Sequence, residues 1–198
     1  IDSLLPELVR QGASMIKTFN KIDPQLYHHV LEVAQHCSLR VVHDPGGPLF
    51  NQIPMDVALE MGVTSIEHAK APWPVVLNDS MKAVHEKAMG PEISDMTRQM
   101  AAVEIARHGL ESISSGRLAQ LAKKVKEKGA YLCPTLCVFS DIESTAIEQT
   151  QTELGVDSLP PQVLEMIRTM TSAMKEVSCF FVREFAKDSV AMLVGQDG

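Results

Sequence analysis

The sequence predicts an α/β fold of successive parallel strands and returning helices, best satisfied by a partial (β/α)8 TIM-type barrel, and three observations point there. Apolar strand-like segments alternate with helix-like segments from the start of the chain. Strand ends recur at nearly constant spacing, at positions 17, 43 and 68. Polar residues of ligating type fall at those ends, where barrels keep their active sites. An open parallel sheet satisfies the same periodicity, so the placement of the polar residues is what favours the barrel.

Each element has a local reason. Leu4 to Gln11 reads as a helix with Pro6 in its first turn and Gly12 just past its end, followed by the strand Ser14 to Phe19. Asp23 caps a second helix that carries Leu26, Val30, Val33 and Ala34 on one face. Strand Leu39 to His43 is broken by Asp44-Pro45-Gly46-Gly47, and helix Pro54 to Met61, ended by Gly62, leads into strand Val63 to His68. An insertion over about 70–109 holds a helix from Asp95 to His108. The repeat resumes with helix Ser115 to Lys128, with Leu118, Leu121, Ala122 and Val125 on one side, Gly129 as its cap, and strand Ala130 to Val138. A second insertion, 141–187, holds a helix with Leu164, Ile167, Met174, Val177, Phe181 and Phe185 along one side. Strand Val190 to Gly195 then leads into Gln196-Asp197-Gly198. Five strands are about half or a little more of an eight-stranded barrel, so residues 1–198 read as one partial barrel domain with two insertions.

Composition narrows the function classes. With 198 residues, 45% hydrophobic and 22% charged, the chain is long enough to bury a core. A net charge of −7 with scattered Lys and Arg leaves no basic stripe for a phosphate backbone, which excludes nucleic acid as a partner. No apolar run approaches the roughly 18 to 20 residues that span a bilayer, and the first residues lack signal-peptide character, so no membrane partner and a cytoplasmic location are expected. The first residue is Ile1 and the chain opens into a helix, as a piece of a longer product would. Cys37, Cys133, Cys137 and Cys179 lack metal-finger spacing and read as reduced, mostly buried thiols.

Lys17, His43 and His68 lie in or at the C-terminal ends of three successive strands, and Asp197 closely follows the C-terminal end of the last one. Neutral imidazoles and a carboxylate suit Zn²⁺, whereas a protonated lysine has no lone pair to give. Carboxylation by CO₂ resolves this by turning the amine into an anionic group able to bridge two cations. Each residue also has a bland reading: Lys17 snorkelling to a rim or pairing with a carboxylate, the histidines as hydrogen-bonded structural residues, Asp197 as a turn residue. Their common placement favours the site. His28, His29, His36, His85 and His108 lie on helices and are expected to face solvent or pack, and Trp73 is expected to anchor the first insertion.

The segments GASMIKTF, VVHDPGG, MGVTSIEHAKA and MLVGQDG resemble the fourth, fifth, sixth and eighth strands of the amidohydrolase superfamily, nearest its imidazolonepropionase-like branch of metal-dependent dipeptidases and carboxypeptidases. The resemblance implies two divalent ions, most simply Zn²⁺, bridged by carboxylated Lys17. It implies that His43 and His68 bind one ion, and that Asp197 binds the other and shuttles protons during hydrolysis of an amide, peptide or cyclic-amide C–N bond by a bridging hydroxide. The family's His-X-His pair is absent here, and its His-Ala-His reads His43-Asp44-Pro45. Metal binding in this chain is therefore expected to be weak. The expected partner is a small-molecule or peptide substrate, with a homo-oligomer as the assembly. The alternatives are a catalytically incomplete fragment that folds by self-association and a mononuclear deaminase of the same superfamily.

Overall fold

A computed structural model of the chain describes residues 1–19, 22–47, 49–136 and 160–193. It has an α/β architecture with a four-stranded parallel sheet. The strands are β1 (Met15–Phe19), β2 (Arg40–Asp44), β3 (Ser65–Glu67) and β4 (Tyr131–Cys133), and they pair in chain order. Between them lie α1 (Leu4–Arg10), which precedes β1, α2 (Pro24–His36), α3 (Met55–Glu60), α4 (Trp73–Val76), α5 (Asp79–Ala88), α6 (Asp95–His108) and α7 (Ser115–Glu127), with α8 (Pro161–Lys187) after β4. A fifth parallel segment starts where Met192 bridges Leu132, inside the strand expected from Val190. No helix among the described residues is long and apolar enough to cross a membrane.

Why these residues form these elements is local. The Asp23 carboxylate accepts from the Gln25 and Leu26 amides at 2.9 and 3.1 Å, a cap worth about 1 kcal/mol. It starts α2, whose buried stripe is Tyr27, Val30, Leu31 and Ala34. In α7 the buried stripe is Leu118, Leu121, Ala122 and Val125, the expected one. The helices cover one side of the sheet, and the core runs through Val41, Ile66 and Leu132 on that side.

Five helix-to-strand turns share one geometry. Gly12, Ser38, Gly62, Gly129 and Ser189 all adopt left-handed φ values between 56° and 98°. The residue after each sends its amide back to a carbonyl five positions earlier: Ala13 to Leu8, Leu39 to Ala34, Val63 to Ala58, Ala130 to Val125 and Val190 to Phe185. This is the Schellman closure of a helix C-terminus, and it satisfies carbonyls that would otherwise end unpaired.

The insertions are more tightly integrated than lids. Residues 78–112 leave and return through an antiparallel bridge between Leu77 and Ile113, and Trp73 is fully buried and donates its indole N–H to Ser112 Oγ at 2.9 Å. Trp73 is thus the anchor it was expected to be. In α8 the C-terminal half supplies core, with Val177, Phe181 and Phe185 buried against α6 and the 3₁₀ turn Gly109–Ser112, while Ile167 stays exposed. Of the apolar side expected for this helix, Ala173, Val177, Phe181 and Phe185 are buried, with Met170 and Met174 packed against the core. Residues 141–159 of that insertion lie outside the described residues.

Ser38 and Ser189 are both exposed L-residues in a conformation that suits glycine. Ser38→Gly and Ser189→Gly are each expected to raise unfolding free energy by about 0.5 to 1 kcal/mol, the left-handed penalty less the extra chain entropy of glycine. Chemical denaturation measures it, and a lower midpoint in either variant contradicts the assignment.

Candidate metal centre

In the observed register Lys17 lies opposite Val42, Thr18 opposite His43, and Phe19 opposite Asp44. Aligned residues of neighbouring strands point to the same face, and successive residues of one strand alternate. Lys17 and Asp44 therefore share the face away from the helices, and His43 points into the helix layer.

The structure brings Lys17 and His68 together around Asp44, a residue that sequence reasoning treated as part of a turn. Asp44 is only 2% exposed, and its Oδ2 lies 3.0 Å from Lys17 Nζ and 3.2 Å from His68 Nε2. Its other oxygen accepts the Gly46 amide at 2.8 Å. Burial alone would raise the Asp44 carboxyl, but the Lys17 ammonium, the Gly46 N–H and His68 together hold it below the usual carboxylate range. The following loop is fixed by Asn51, whose amide nitrogen turns to the Pro45 and Gly47 carbonyls at 2.8 and 2.6 Å.

His68 follows β3, and Thr135 follows β4. Their side chains meet, with His68 Nδ1 2.8 Å from Thr135 Oγ1. Both residues have left-handed backbones, φ 68° and 47°, and the His68 amide donates to Cys133 O at 2.8 Å. Non-glycine residues in this region cost of order 1 kcal/mol or more each, and such strain is characteristic of sites where side-chain direction matters. Here it aims the imidazole at Asp44.

His43 does not join this cluster. At 3% exposed, its Nε2 lies 3.1 Å from the Ile53 carbonyl and its Nδ1 2.9 Å from the Tyr27 hydroxyl. A carbonyl only accepts, so Nε2 carries the proton and Nδ1 accepts from Tyr27. Burial pushes the His43 imidazole down to about 4, against the opposing pull of Ile53 and Asp44. The Tyr27 hydroxyl is pushed up by burial to about 12. Both nitrogens are committed to the helix layer, so the expected meeting of His43 with Lys17 and His68 is corrected: one residue of strand alternation separates them. Asp197 lies outside the described residues.

Whether divalent ions suit these residues is therefore a mixed answer. Among the described residues, no three His, Cys, Asp or Glu side chains stand together as a cation site. Asp44 Oδ2 and His68 Nε2 are instead 3.2 Å apart in a direct hydrogen bond, and two such donors are fewer than the three or four that hold Zn²⁺. The Thr135 contact on the far nitrogen is of the kind that fixes ring orientation in metal sites. None of Lys17, Asp44 or His68 lines the groove of about 800 Å³ among Leu49, Phe50, Met89, Arg98, Ala102 and Met170, where Arg98 pairs with Asp95.

Among the other histidines, His28, His29 and His108 pair with surface carboxylates, and His36 caps its own helix through Glu32 O. His85 stacks on Phe50 at 5.2 Å and donates to Leu49 O. Of the cysteines expected to be mostly buried, Cys133 is buried and Cys37 and Cys179 are half-buried, while Cys137 lies outside the described residues.

The buried His43 gives the fold a pH signature. Its folded value of about 4 lies below the unfolded 6.5, so protonation favours the unfolded chain. Stability from neutral His43 is complete above pH 6.5 and is lost as pH falls toward 4, by about 3 kcal/mol in all. Asp44 contributes separately, losing stability only as pH falls below 3.8. Urea midpoints between pH 7 and 4 are expected to fall in the wild type and to flatten in His43→Gln, and a wild-type midpoint constant across that range contradicts the assignment. Comparison with known proteins finds no matching family model, no matching curated protein and no matching solved structure.

Proposed function

We propose that the chain carries part of the active site of a metal-dependent hydrolase of amide, peptide or cyclic-amide C–N bonds, built at the C-terminal edge of a (β/α)8 barrel. The observation that supports the reading best is that groups from three successive strands and their ends, Lys17 within β1, Asp44 ending β2 and His68 following β3, meet at one buried carboxylate oxygen. The barrel is favoured by the open face of the sheet. Parallel sheets are ordinarily covered on both sides, yet Met15 and Phe19 on the Lys17 face are 53% and 65% exposed. In a barrel that face is the packed interior.

Lys17 becomes a cation-binding group by carboxylation. Its ammonium loses a proton, the amine nitrogen forms a bond to the carbon of CO₂, and a second proton leaves to solvent, giving a carbamate anion. Placed beside Asp44 this makes two facing anions, an arrangement that a cation stabilises and that is otherwise repulsive. Divalent ions, Zn²⁺ foremost, would supply Lewis-acid chemistry here, acidifying water and polarising the scissile carbonyl. Asp197 carries the proton: it takes one from the attacking water as oxygen bonds to the carbonyl carbon, and returns it to nitrogen as the C–N bond breaks.

The test is hydrolysis of dipeptides, N-acyl amino acids and cyclic amides, with added Zn²⁺ and bicarbonate, by a product that joins this chain to the rest of the barrel; the chain alone is expected to turn over little or nothing. Turnover that chelator abolishes, and that Asp197→Asn lowers about 10²- to 10⁴-fold, is expected. Turnover indifferent to chelator overturns the metal mechanism, and ammonia release from amino-heterocycles alone redirects it to deamination. A second reading, self-association of a catalytically incomplete chain, draws support from the same exposed Met15 and Phe19. Light scattering separates the two: a dimer without metal-dependent turnover favours the second.

A further inference from the structure

Residues 49–53 lead from the loop after β2 toward α3, and side chains from three places hold them. His43 of β2 donates to the Ile53 carbonyl at 3.1 Å, the Asn51 amide turns back on Pro45 and Gly47, and His85 reaches from α5 to the Leu49 carbonyl. The last of these crosses to the first insertion. We propose that His85 is a proton-sensitive latch: neutral, it fastens Leu49 and Phe50 to α5, and on taking up a proton it swings out to water and lets Phe50 go. The proposal goes beyond the hydrolase reading and does not depend on it.

The geometry fits a neutral ring. A carbonyl only accepts, so His85 Nε2 carries the proton that is donated to Leu49 O. The ring lies flat on Phe50, with centroids 5.2 Å apart and planes 2° from parallel, and the Leu49 side chain is fully buried. One ring edge therefore meets a carbonyl and one face meets an apolar ring, which attracts an imidazolium only weakly. His28, His29 and His108 differ, each lying 3.0 to 3.5 Å from a carboxylate. Among the described residues His85 forms no such ion pair.

The charges nearby are already matched. Glu86 follows His85 on α5 and is held by Lys82 at 3.6 Å, and on α6 Asp95 and Arg98 pair at 3.1 Å. Residues 49–53 and the nearby Met170 of α8 bring no charge. Burial thus outweighs the pull of Leu49 O and Glu86 and holds the imidazole below its ordinary value of 6.5. The closed arrangement is therefore fully favoured above pH 6.5 and loses that preference as pH falls. Leu49 and Phe50 line one side of the groove of about 800 Å³ that Met89, Ala102 and Met170 also line, so release of Phe50 in acid widens it.

The experiment is an NMR titration of the whole wild-type chain from about pH 7.5 to about pH 5, the range in which histidines change charge. It follows the histidine ring ¹⁵N resonances and the ring-to-ring cross-peak between His85 and Phe50. At the upper end His85 shows a neutral ring with its proton on Nε2 and a strong cross-peak to Phe50. As its nitrogens move to the charged range the cross-peak is lost, while the methyl resonances of buried Ile66 and Leu132 stay in place. In His85→Phe, which keeps the stack and cannot titrate, the Phe50 resonances stay fixed over the same range. A cross-peak that survives protonation of His85, or a ring still neutral at the acid end, overturns the latch. So does a Phe50 titration in His85→Phe that matches the wild type. The first two readings need only the wild-type chain, so they decide the matter even where the variant fails to fold.

Discussion

The two-residue alternation of β2 governs the rest of the site. Val41 and His43 go to the helix side, and Val42 and Asp44 to the other, because the pleat allows nothing else once β1 and β3 have fixed the register. One side of the strand builds core: His43 is locked between Tyr27 of α2 and the Ile53 carbonyl. The other side builds a charged cluster: Asp44 collects Lys17 from β1 and His68 from the end of β3. Adjacent residues thus serve as a structural anchor and a charged centre. Their proximity in sequence says nothing of shared purpose.

The charged centre is maintained against two costs. A buried carboxylate is expensive to desolvate, and Asp44 meets that expense with a backbone amide, an ammonium and an imidazole at once. The left-handed backbones of His68 and Thr135 add strain. Packing on the helix side holds both in place, through Val41, Ile66 and Leu132. The open face gives no comparable support, since Met15 and Phe19 there meet solvent.

Much of the fold was legible because its signals are local. Gly12, Gly62 and Gly129 mark helix ends, Asp23 marks a helix start, and the stripe of α7 needs only its spacing. Ser38 and Ser189 perform the glycines' role without the glycine signal, so their turns were legible only from the flanking elements. The strands were found but their ends were not: β2 runs to Asp44, one residue beyond the expected stop, because the Asp-Pro-Gly run reads as a turn. That single residue decides the site. That Lys17 and His68 come near one another follows from position, whereas which of His43 and Asp44 stands between them requires the inter-strand register, a non-local quantity. The only signal in the sequence was an acidic residue beside the expected ligand.

The five Schellman closures give the sheet a direction. Every passage from helix to strand is short, residues 11–14, 37–39, 61–64, 128–130 and 188–191, and is closed by the same backbone hydrogen bond. The passages from strand to helix obey no such rule, running from residues 20–23 to the excursion of residues 68–114. One edge of the sheet is therefore a rigid hem and the other an open margin. An added residue at the hem would shift a strand's register and turn its side chains over, whereas added length at the margin leaves the strands untouched. Growth and diversification of such a chain are channelled to the margin, the edge that carries Asp44 and His68.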